Sequence, residues 1–439
     1  MMGKNARAAA LEALGKCRRD GAWSGAVIDN SIKKATLDSR ESALAARLIL
    51  GVLQNISLCD FYIDSFASAK KLEPKLRDIL RLGTYQLLFM DKIPARAAVN
   101  ECVSLCKTEG YARAAGLANA VLRRIAENKD ALPEIPHKGS AEHLSIKYSH
   151  PLWLVKKIMD EHGYDFAEAF LQADNTLPGL TVQVNTLKVS TEQYVRALDR
   201  LGIEYSLSGE LDGCIELESG NVTALPGFEE GLFYVQDKAA RTTAELAGAE
   251  PGMTVLDACA APGGKSFAAA IRMRNEGKIV ACDIHEKKLK LIEEGAERLG
   301  IDIIETCCHD ARQFNEEFRE AFELVIADVP CSGLGVIRKK PEIRLKSEKE
   351  LASLPQIQYD ILSTLAGTVK RGGTLLYSTC TILREENEAV IERFLRENDN
   401  FELCPFRVGK LGAERGMYTF WPHIDGTDGF FAARLTRKL

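Results

Sequence analysis

The sequence predicts a multidomain chain: an all-α N-terminal domain, a small α/β middle domain and a C-terminal α/β domain on a mostly parallel sheet. Three observations predict this. Up to about residue 130, apolar residues recur at the three- and four-residue spacing of helices. Leu132 to Ser140 then packs two prolines and a glycine into a short span, which marks a boundary. From about residue 236, short β-rich apolar runs alternate with helix-forming stretches, the pattern of a sheet wrapped by helices. At 439 residues the chain is long for one domain, and the divisions fall at 1–132, 141–235 and 236–439.

In the front domain the periodicity predicts helices over Ala8–Leu14, Ala43–Leu53, Leu76–Phe89, Ala97–Thr108 and Ala114–Ile125, with Pro94 as a break. Cys102 and Cys106 share one helix face and read as core. In the middle, Pro151 opens a helix, Leu180–Asn185 and Cys214–Leu217 read as strands, and Thr191–Leu201 reads as a helix.

The C-terminal domain is organised around Val255-Leu256-Asp257-Ala258-Cys259-Ala260-Ala261-Pro262-Gly263-Gly264-Lys265-Ser266. A β-rich run precedes it and Phe267-Ala268-Ala269-Ala270-Ile271 starts a helix after it. Strand, glycine turn and helix form a cradle. The helix N-terminus offers unpaired N–H groups, and glycine lets a ligand approach the backbone. About 20 residues on, Lys278–Asp283 ends a second apolar run in an acid suited to two ribose hydroxyls. The loop lacks G-x-G-x-x-G, so it is no dinucleotide fingerprint. It nearly matches a P-loop at Gly264-Lys265-Ser266, but Cys259 replaces the first glycine and Pro262 removes a donor. S-adenosylmethionine has a ribose for Asp283 and no phosphates to cradle.

The next strands carry chemistry. Glu323–Ala327 leads into Asp328-Val329-Pro330-Cys331, and Gly372–Tyr377 leads into Ser378-Thr379-Cys380. A third apolar run, Ile301–Thr306, is followed by Asp310. In open α/β sheets the ligand lies outside the carboxyl ends of the strands. The loop residues, Asp283, Asp310, Asp328, Cys331 and Cys380 are therefore expected on one rim. Gly416–Trp421 and Gly429–Leu435 read as a closing antiparallel pair, with His423 as a surface-loop residue beside its turn. Cys214, Cys282, Cys307 and Cys308 read as structural.

Charge is uneven. Residues 1–130 hold 21 Lys+Arg against 14 Asp+Glu, a net of +7, so the total of −5 leaves −12 for the rest. A basic front on an acidic body suits an anionic partner. The twelve cysteines include no C-x-x-C pair, so neither zinc nor any other metal is expected, and reduced thiols in the cytoplasm are. The first 20 residues are charged and lack a continuous apolar core, so no signal peptide is expected. No apolar run is long enough for a bilayer.

The segments Asp257–Ser266, Asp328-Val329-Pro330-Cys331-Ser332-Gly333 and Tyr377-Ser378-Thr379-Cys380 together resemble the RNA (cytosine-C5)-methyltransferase family, over nearly the whole chain. Leu80–Leu88 and Asn119–Ile125 are similar to the helical RNA-binding NusB family. The resemblance implies a Rossmann-like, S-adenosylmethionine-dependent catalytic domain acting as a monomer on small-subunit (16S) rRNA. It implies that Cys259, Ala260, Ala261, Pro262, Gly263, Gly264, Lys265, Asp283, Asp310 and Asp328 hold the cofactor, with Asp310 on the adenine amine. It makes Cys380 the nucleophile on cytosine C6 and gives Cys331 a part in product release. Asp328 then faces N3 and the exocyclic amine of the base. The family often has Arg where Gln183 stands, which removes one expected backbone contact. Arg123 and Arg124, and the run Arg338, Lys339, Lys340, Arg344 and Lys346, are candidate phosphate contacts. Two other readings stay open: an altered P-loop NTPase, and an RNA-binding protein on an inactive methyltransferase fold.

Overall fold

The computed structural model describes residues 5–439 except 21–24, 26–27, 29, 32–34, 68–70, 218–220 and 409–410. The chain forms two compact units. The first comprises residues 1–176 and 337–350, the second 177–336 and 351–439.

The first unit is helical. Its front helices include Ala6–Asp20, Ser39–Gln54, Ile56–Phe66, Pro74–Phe89, Ala95–Thr108 and Ala115–Glu127. The five expected from periodicity are present. Ile56–Phe66 is an addition to them, because ISLCDFYIDSF is rich in β-branched and aromatic residues. Burial of Cys59 and Ile63 overrides that weak propensity. Asp38 caps Ser39–Gln54 by accepting from the Glu41 N–H. Leu48, Ile49, Ile79, Leu80 and Leu122 form the core with Cys102 and Cys106, in keeping with the shared face of the two cysteines. Part of the basic excess is internal. Arg81 bonds Asp60 and Asp78, and Arg18 also reaches Asp78. Arg123 and Arg124 are exposed.

Residues 141–173 form three more helices, Ala141–Tyr148, Leu152–His162 and Tyr164–Ala173, within this same unit. By contacts, these helices group with the front helices, and the compact unit runs to Thr176. These helices bury Leu144, Leu154, Val155, Phe170 and Leu171, and the Leu58 N–H donates to Ser149 Oγ at 3.1 Å. A one-sided apolar helix needs a helical neighbour, and the front helices supply it.

Residues 337–350 also fold into this unit. A 3₁₀ turn, Pro341–Leu345, buries Ile343 and sets Leu345 against the helical core. Arg344 is buried and its Nη2 donates to Asn175 Oδ1. This corrects the expectation that Arg344 holds phosphate. A side chain with that burial is out of reach of RNA, although its sequence neighbours are basic.

The second unit carries two main sheets. The smaller has β1 (Leu180–Val184), β2 (Tyr205–Leu207), β3 (Cys214–Leu217) and β4 (Phe233–Val235), antiparallel in the order β2-β3-β1-β4. A helix, Thr191–Arg200, with a Ser190/Gln193 capping box, packs Tyr194 and Leu198 on it. Gln183 is buried and its Nε2 donates to the Gln236 carbonyl at 3.1 Å, so it is a core residue here.

The larger sheet contains β5 (Thr254–Asp257), β6 (Lys278–Asp283), β7 (Ile304–Cys308), β8 (Phe322–Asp328), β9 (Val369–Thr379) and β10 (Phe401–Leu403). A hairpin of β11 (Phe406–Val408) and β12 (Leu411–Ala413) stands apart. β13 (Met417–Phe420) and β14 (Phe430–Arg437) complete the sheet. The order is β10-β14-β9-β8-β5-β6-β7, with β13 also on β14. β5 to β9 are parallel and β14 runs antiparallel to β9. The expected closing pair is present, Met417 opposite Ala433 and Phe420 opposite Phe430. Its connection contains a short helix, Pro422–Asp425, in place of a plain turn, and His423 there is half-buried beside Trp421. The third run also shifts: the strand is Ile304–Cys308, and Ile301 to Ile303 precede it. The strand order reverses at β5, between β6 and β8, which is where such sheets open a crevice.

Candidate active site

The rim gathers the residues singled out in the sequence. After β5 the chain turns through Ala258–Gly263 into the helix Gly264–Arg272. Gly263 has φ +108°, and a Cβ there would meet the Phe267 ring at 2.5 Å, so both backbone and space require glycine. The Ala260 N–H donates to the Cys282 carbonyl at 2.7 Å, tying the loop to β6. Asp257 is buried, and burial raises its carboxyl to about 7 while Ser266 Oγ donates to it at 2.7 Å.

A cavity of about 350 Å³ lies against this loop, lined among others by Cys259, Ala261, Asp283, Asp310 and Asp328. That is within the range of small-molecule sites. Its apolar walls come from Ile284, Pro330, Ile357 and Ile361. Asp283 ends β6 and accepts the His285 N–H at 2.9 Å. Asp310 is chelated by Arg312, with Nη2 to Oδ2 at 2.6 Å, and that guanidinium holds its carboxyl below the usual range. Burial drives the Cys259 thiol far up, and the charges of Asp257, Asp328, Asp283 and Asp310 add to it, so Cys259 stays protonated.

Lys265 departs from a simple loop role. Its side chain is 6% exposed, and Nζ meets Asp328 Oδ2 at 2.6 Å and lies 4.9 Å over the Phe430 ring. Ser378 Oγ donates to the other Asp328 oxygen at 2.7 Å. The lysine charge is taken by Asp328, which is thereby held in one orientation at the tip of β8.

The two cysteines meet. Cys331 Sγ and Cys380 Sγ are 3.2 Å apart, although 49 residues separate them. β8 and β9 are parallel neighbours with Asp328 opposite Ser378, so each tip delivers its loop to the same place. The Cys331 thiol is pushed well above its ordinary value. Its hydrogen bond to Cys380 is the largest cause, then burial and the charge of Cys380. The two thiols therefore titrate as a coupled pair, and either sulfur can donate to the other.

Sequence reasoning missed the support beneath this pair. Glu386 is buried, and its carboxylate accepts the Ser332 N–H at 2.9 Å and Gln358 Nε2 at 2.8 Å. Thr381 and Asn387 join the same cluster. The available signal was a polar Thr381…Glu386-Asn387 group directly after Cys380. Among the described residues no group of three His, Cys, Asp or Glu is placed to hold a metal. Nor is any single helix among them long and apolar enough to cross a membrane. Ser39–Gln54 and Ile56–Phe66 pass that test only as a pair bent by 79°.

A doubly wound sheet with a ligand cavity at its switch point and a carboxylate-rich rim defines a Rossmann-like methyltransferase domain. Residues 245–436 match the family model described as 16S rRNA methyltransferase RsmB/F. Residues 4–127 match the NusB family, and residues 150–223 match the ferredoxin-like domain of RsmF/B-like methyltransferases. A Bacillus subtilis protein named probable ribosomal RNA small subunit methyltransferase B is 36% identical over 440 residues, covering 98% of each chain. A Synechocystis protein of the same name is 34% identical, covering 96% of each. The crystal structure of PH0851 superposes with a TM-score of 0.81 at 29% identity, covering 97% of this chain and 98% of that one. The chain belongs to the RsmB/F rRNA methyltransferase family, and it is a methyltransferase.

Proposed function

We propose that the protein transfers a methyl group from S-adenosylmethionine to C5 of a cytosine in small-subunit rRNA, through a covalent bond from Cys380 to C6. The observation that carries this reading is the 3.2 Å approach of Cys331 and Cys380 beside the cavity-lining Asp328. The residues present fit the cofactor. Asp283 supplies a carboxylate for two ribose hydroxyls, Asp310 an ionised acceptor for the adenine amine, and Ile284, Ile357 and Ile361 apolar surface for a flat ring. Residues Cys259 to Lys265 would hold the remainder. When bound, S-adenosylmethionine supplies the methyl group as an electrophile on sulfonium.

Cytosine C5 is a poor nucleophile. Addition of the Cys380 thiolate to C6 breaks the aromaticity and gives C5 enamine character, dividing one hard step into easier ones. Asp328, held by Lys265 and Ser378, is oriented toward N3 and the exocyclic amine. After methyl transfer the C5 proton leaves to a base and the C6–S bond breaks, which restores the C5–C6 double bond and returns Cys380 as a thiolate; Cys331, 3.2 Å from it, assists this release. The base must leave its stack to reach the thiols, which favours loops or opened RNA. The test is methyl transfer from labelled S-adenosylmethionine to naked small-subunit rRNA, with mapping of the modified base. Label on another base, or none, overturns the reading.

Asp283→Ala is expected to weaken S-adenosylmethionine binding by roughly 10- to 100-fold, from losing hydrogen bonds to a charged group worth about 1.5–3 kcal/mol. Calorimetry checks it, and unchanged affinity, or tight ATP binding by the wild type, counts against the assignment.

The module of residues 1–132 is proposed to capture RNA, the piece at 141–235 to help hold it, and 236–439 to perform the chemistry. Exposed Arg123 and Arg124 are the phosphate contacts. Replacing both by Ala should lower the slope of log affinity against log salt by about 1 for each phosphate no longer neutralised. An unchanged slope in a filter-binding titration assigns the contact elsewhere. The proposal includes a reducing cytoplasm as the setting, in which thiols of this kind stay reduced.

A further inference from the structure

We propose that Glu386 is a positioning residue: its buried carboxylate locks the Cys331 loop onto the Cys380 loop and so sets the distance between the two thiols. The inference rests on the reading of those cysteines given above, but its geometry stands independently.

Glu386 is 1% exposed. One carboxylate oxygen, Oε2, accepts the Ser332 N–H at 2.9 Å and Gln358 Nε2 at 2.8 Å. The same Gln358 nitrogen donates to the Pro330 carbonyl at 3.0 Å. Pro330 and Ser332 are the two neighbours of Cys331, so its main chain is held on both sides. The other oxygen, Oε1, accepts Thr381 Oγ1 at 3.3 Å. Thr381 follows Cys380, and its hydroxyl also accepts from Ser332 Oγ at 2.7 Å. The adjacent Asn387 completes the hold on the second loop. Its Nδ2 donates to the Thr381 carbonyl at 3.0 Å, and Thr379 Oγ1 donates to its Oδ1 at 2.6 Å. Thr379 and Thr381 flank Cys380. Glu386, with its neighbour Asn387 and its partner Gln358, therefore ties down residues on both sides of both cysteines.

The loops also close directly on one another. The Gly335 N–H donates to the Cys380 carbonyl at 3.0 Å. A Cβ at Gly335 would lie 1.9 Å from the Gly429 carbonyl oxygen, so the first loop has no room to shift toward β14. A buried anion is costly unless its hydrogen bonds are satisfied. Here three donors satisfy it, and two of those donors are tied to the Cys331 loop. If the loop moves, the carboxylate loses them, so the loop is held where the donors are. An anion of this kind is a stronger clamp than a neutral acceptor, since hydrogen bonds to charged groups are worth about twice as much.

The test measures thiol spacing without requiring activity. Diamide accepts two electrons and two protons from a pair of thiols and leaves a disulfide, at a rate that depends on how often the sulfurs meet. In the wild-type full chain Cys331 and Cys380 should cross-link rapidly, with Cys380→Ser as the blank. In Glu386→Ala the rate should fall by at least about tenfold, and Glu386→Gln, which retains one acceptor oxygen, should recover part of it. Gln358→Leu removes only the link between Pro330 and Glu386 and should slow cross-linking by a smaller factor. It carries the test if Glu386→Ala does not fold. In methyl transfer, kcat should fall with KM for rRNA unchanged. Cross-linking within twofold of wild type in a folded Glu386→Ala overturns the proposal, whatever happens to activity. Slower cross-linking with full methyl transfer by Cys380→Ala would keep the positioning role and overturn the catalytic reading instead.

Discussion

Cys380→Ala is expected to form no covalent RNA adduct and to lose methyl transfer by about 10³-fold or more, the scale on which removal of a nucleophile is felt. Cys331→Ala is expected to accumulate an adduct, seen as a protein band shifted by bound RNA in denaturing gels. The difference follows from the proposed roles, in which Cys380 attacks C6 and Cys331, in contact with it at 3.2 Å, assists release. Removing Cys380 removes the attacking sulfur. Removing Cys331 leaves attack and transfer possible, but takes away the group 3.2 Å away that assists departure of the sulfur from C6. Neither variant should disturb cofactor binding, since neither side chain lines the cavity. A stalled adduct in Cys380→Ala and none in Cys331→Ala would reverse the two roles. Activity in both variants without any adduct would remove covalent catalysis through these residues.

Much of this arrangement is legible in the chain because its signals are local. Lys278–Asp283 and Cys214–Leu217 are strands over the residues that their apolar runs mark. Cys331 and Cys380 each follow such a run, and the rule that parallel strands present their carboxyl ends together brings them to one rim. What is illegible depends on partners far away in sequence. Glu386 sits among charged residues, Arg384 to Glu388, where a solvated surface is the ordinary reading. It is buried because Ser332 and Gln358, 54 and 28 residues away, meet it. Arg344 stands in a basic run that reads as a phosphate-binding stretch, yet it is enclosed by Asn175 and its neighbours. Asp310 is legible as a rim acid, but its chelation by Arg312 two residues on is not. Local periodicity reports which element forms. It does not report which polar side chains the tertiary fold will enclose.

The buried Arg344 has a consequence for stability that its basic sequence neighbourhood conceals. Its Nε and Nη1 lie buried without hydrogen-bond partners, and burial pushes its guanidinium down to about 10. The charge of Asp174 acts in the opposite direction and favours the charged form. Asp174 is itself wholly enclosed and bonded to His150 Nε2 at 2.9 Å. Asp174→Ala removes that favourable charge from the buried guanidinium and leaves buried His150 Nε2 without its acceptor. Leaving a buried charge uncompensated in this way costs about 3–5 kcal/mol. The expected result is local opening of the helical unit: amide exchange over 152–173 and 337–346 should speed up by about 100-fold or more, while β5 and β6 stay protected. Arg344→Met should cost much less, because it removes the charge along with its burial. Adding Arg344→Met to Asp174→Ala should restore most of the lost protection, a coupling that independent sites do not show. The same logic predicts that deleting residues 1–130 is no clean excision, since residues 141–173 and 337–350 fold with the helices that would be lost. If Asp174→Ala exchanges like the wild type, water reaches Arg344 and its charge needs no partner.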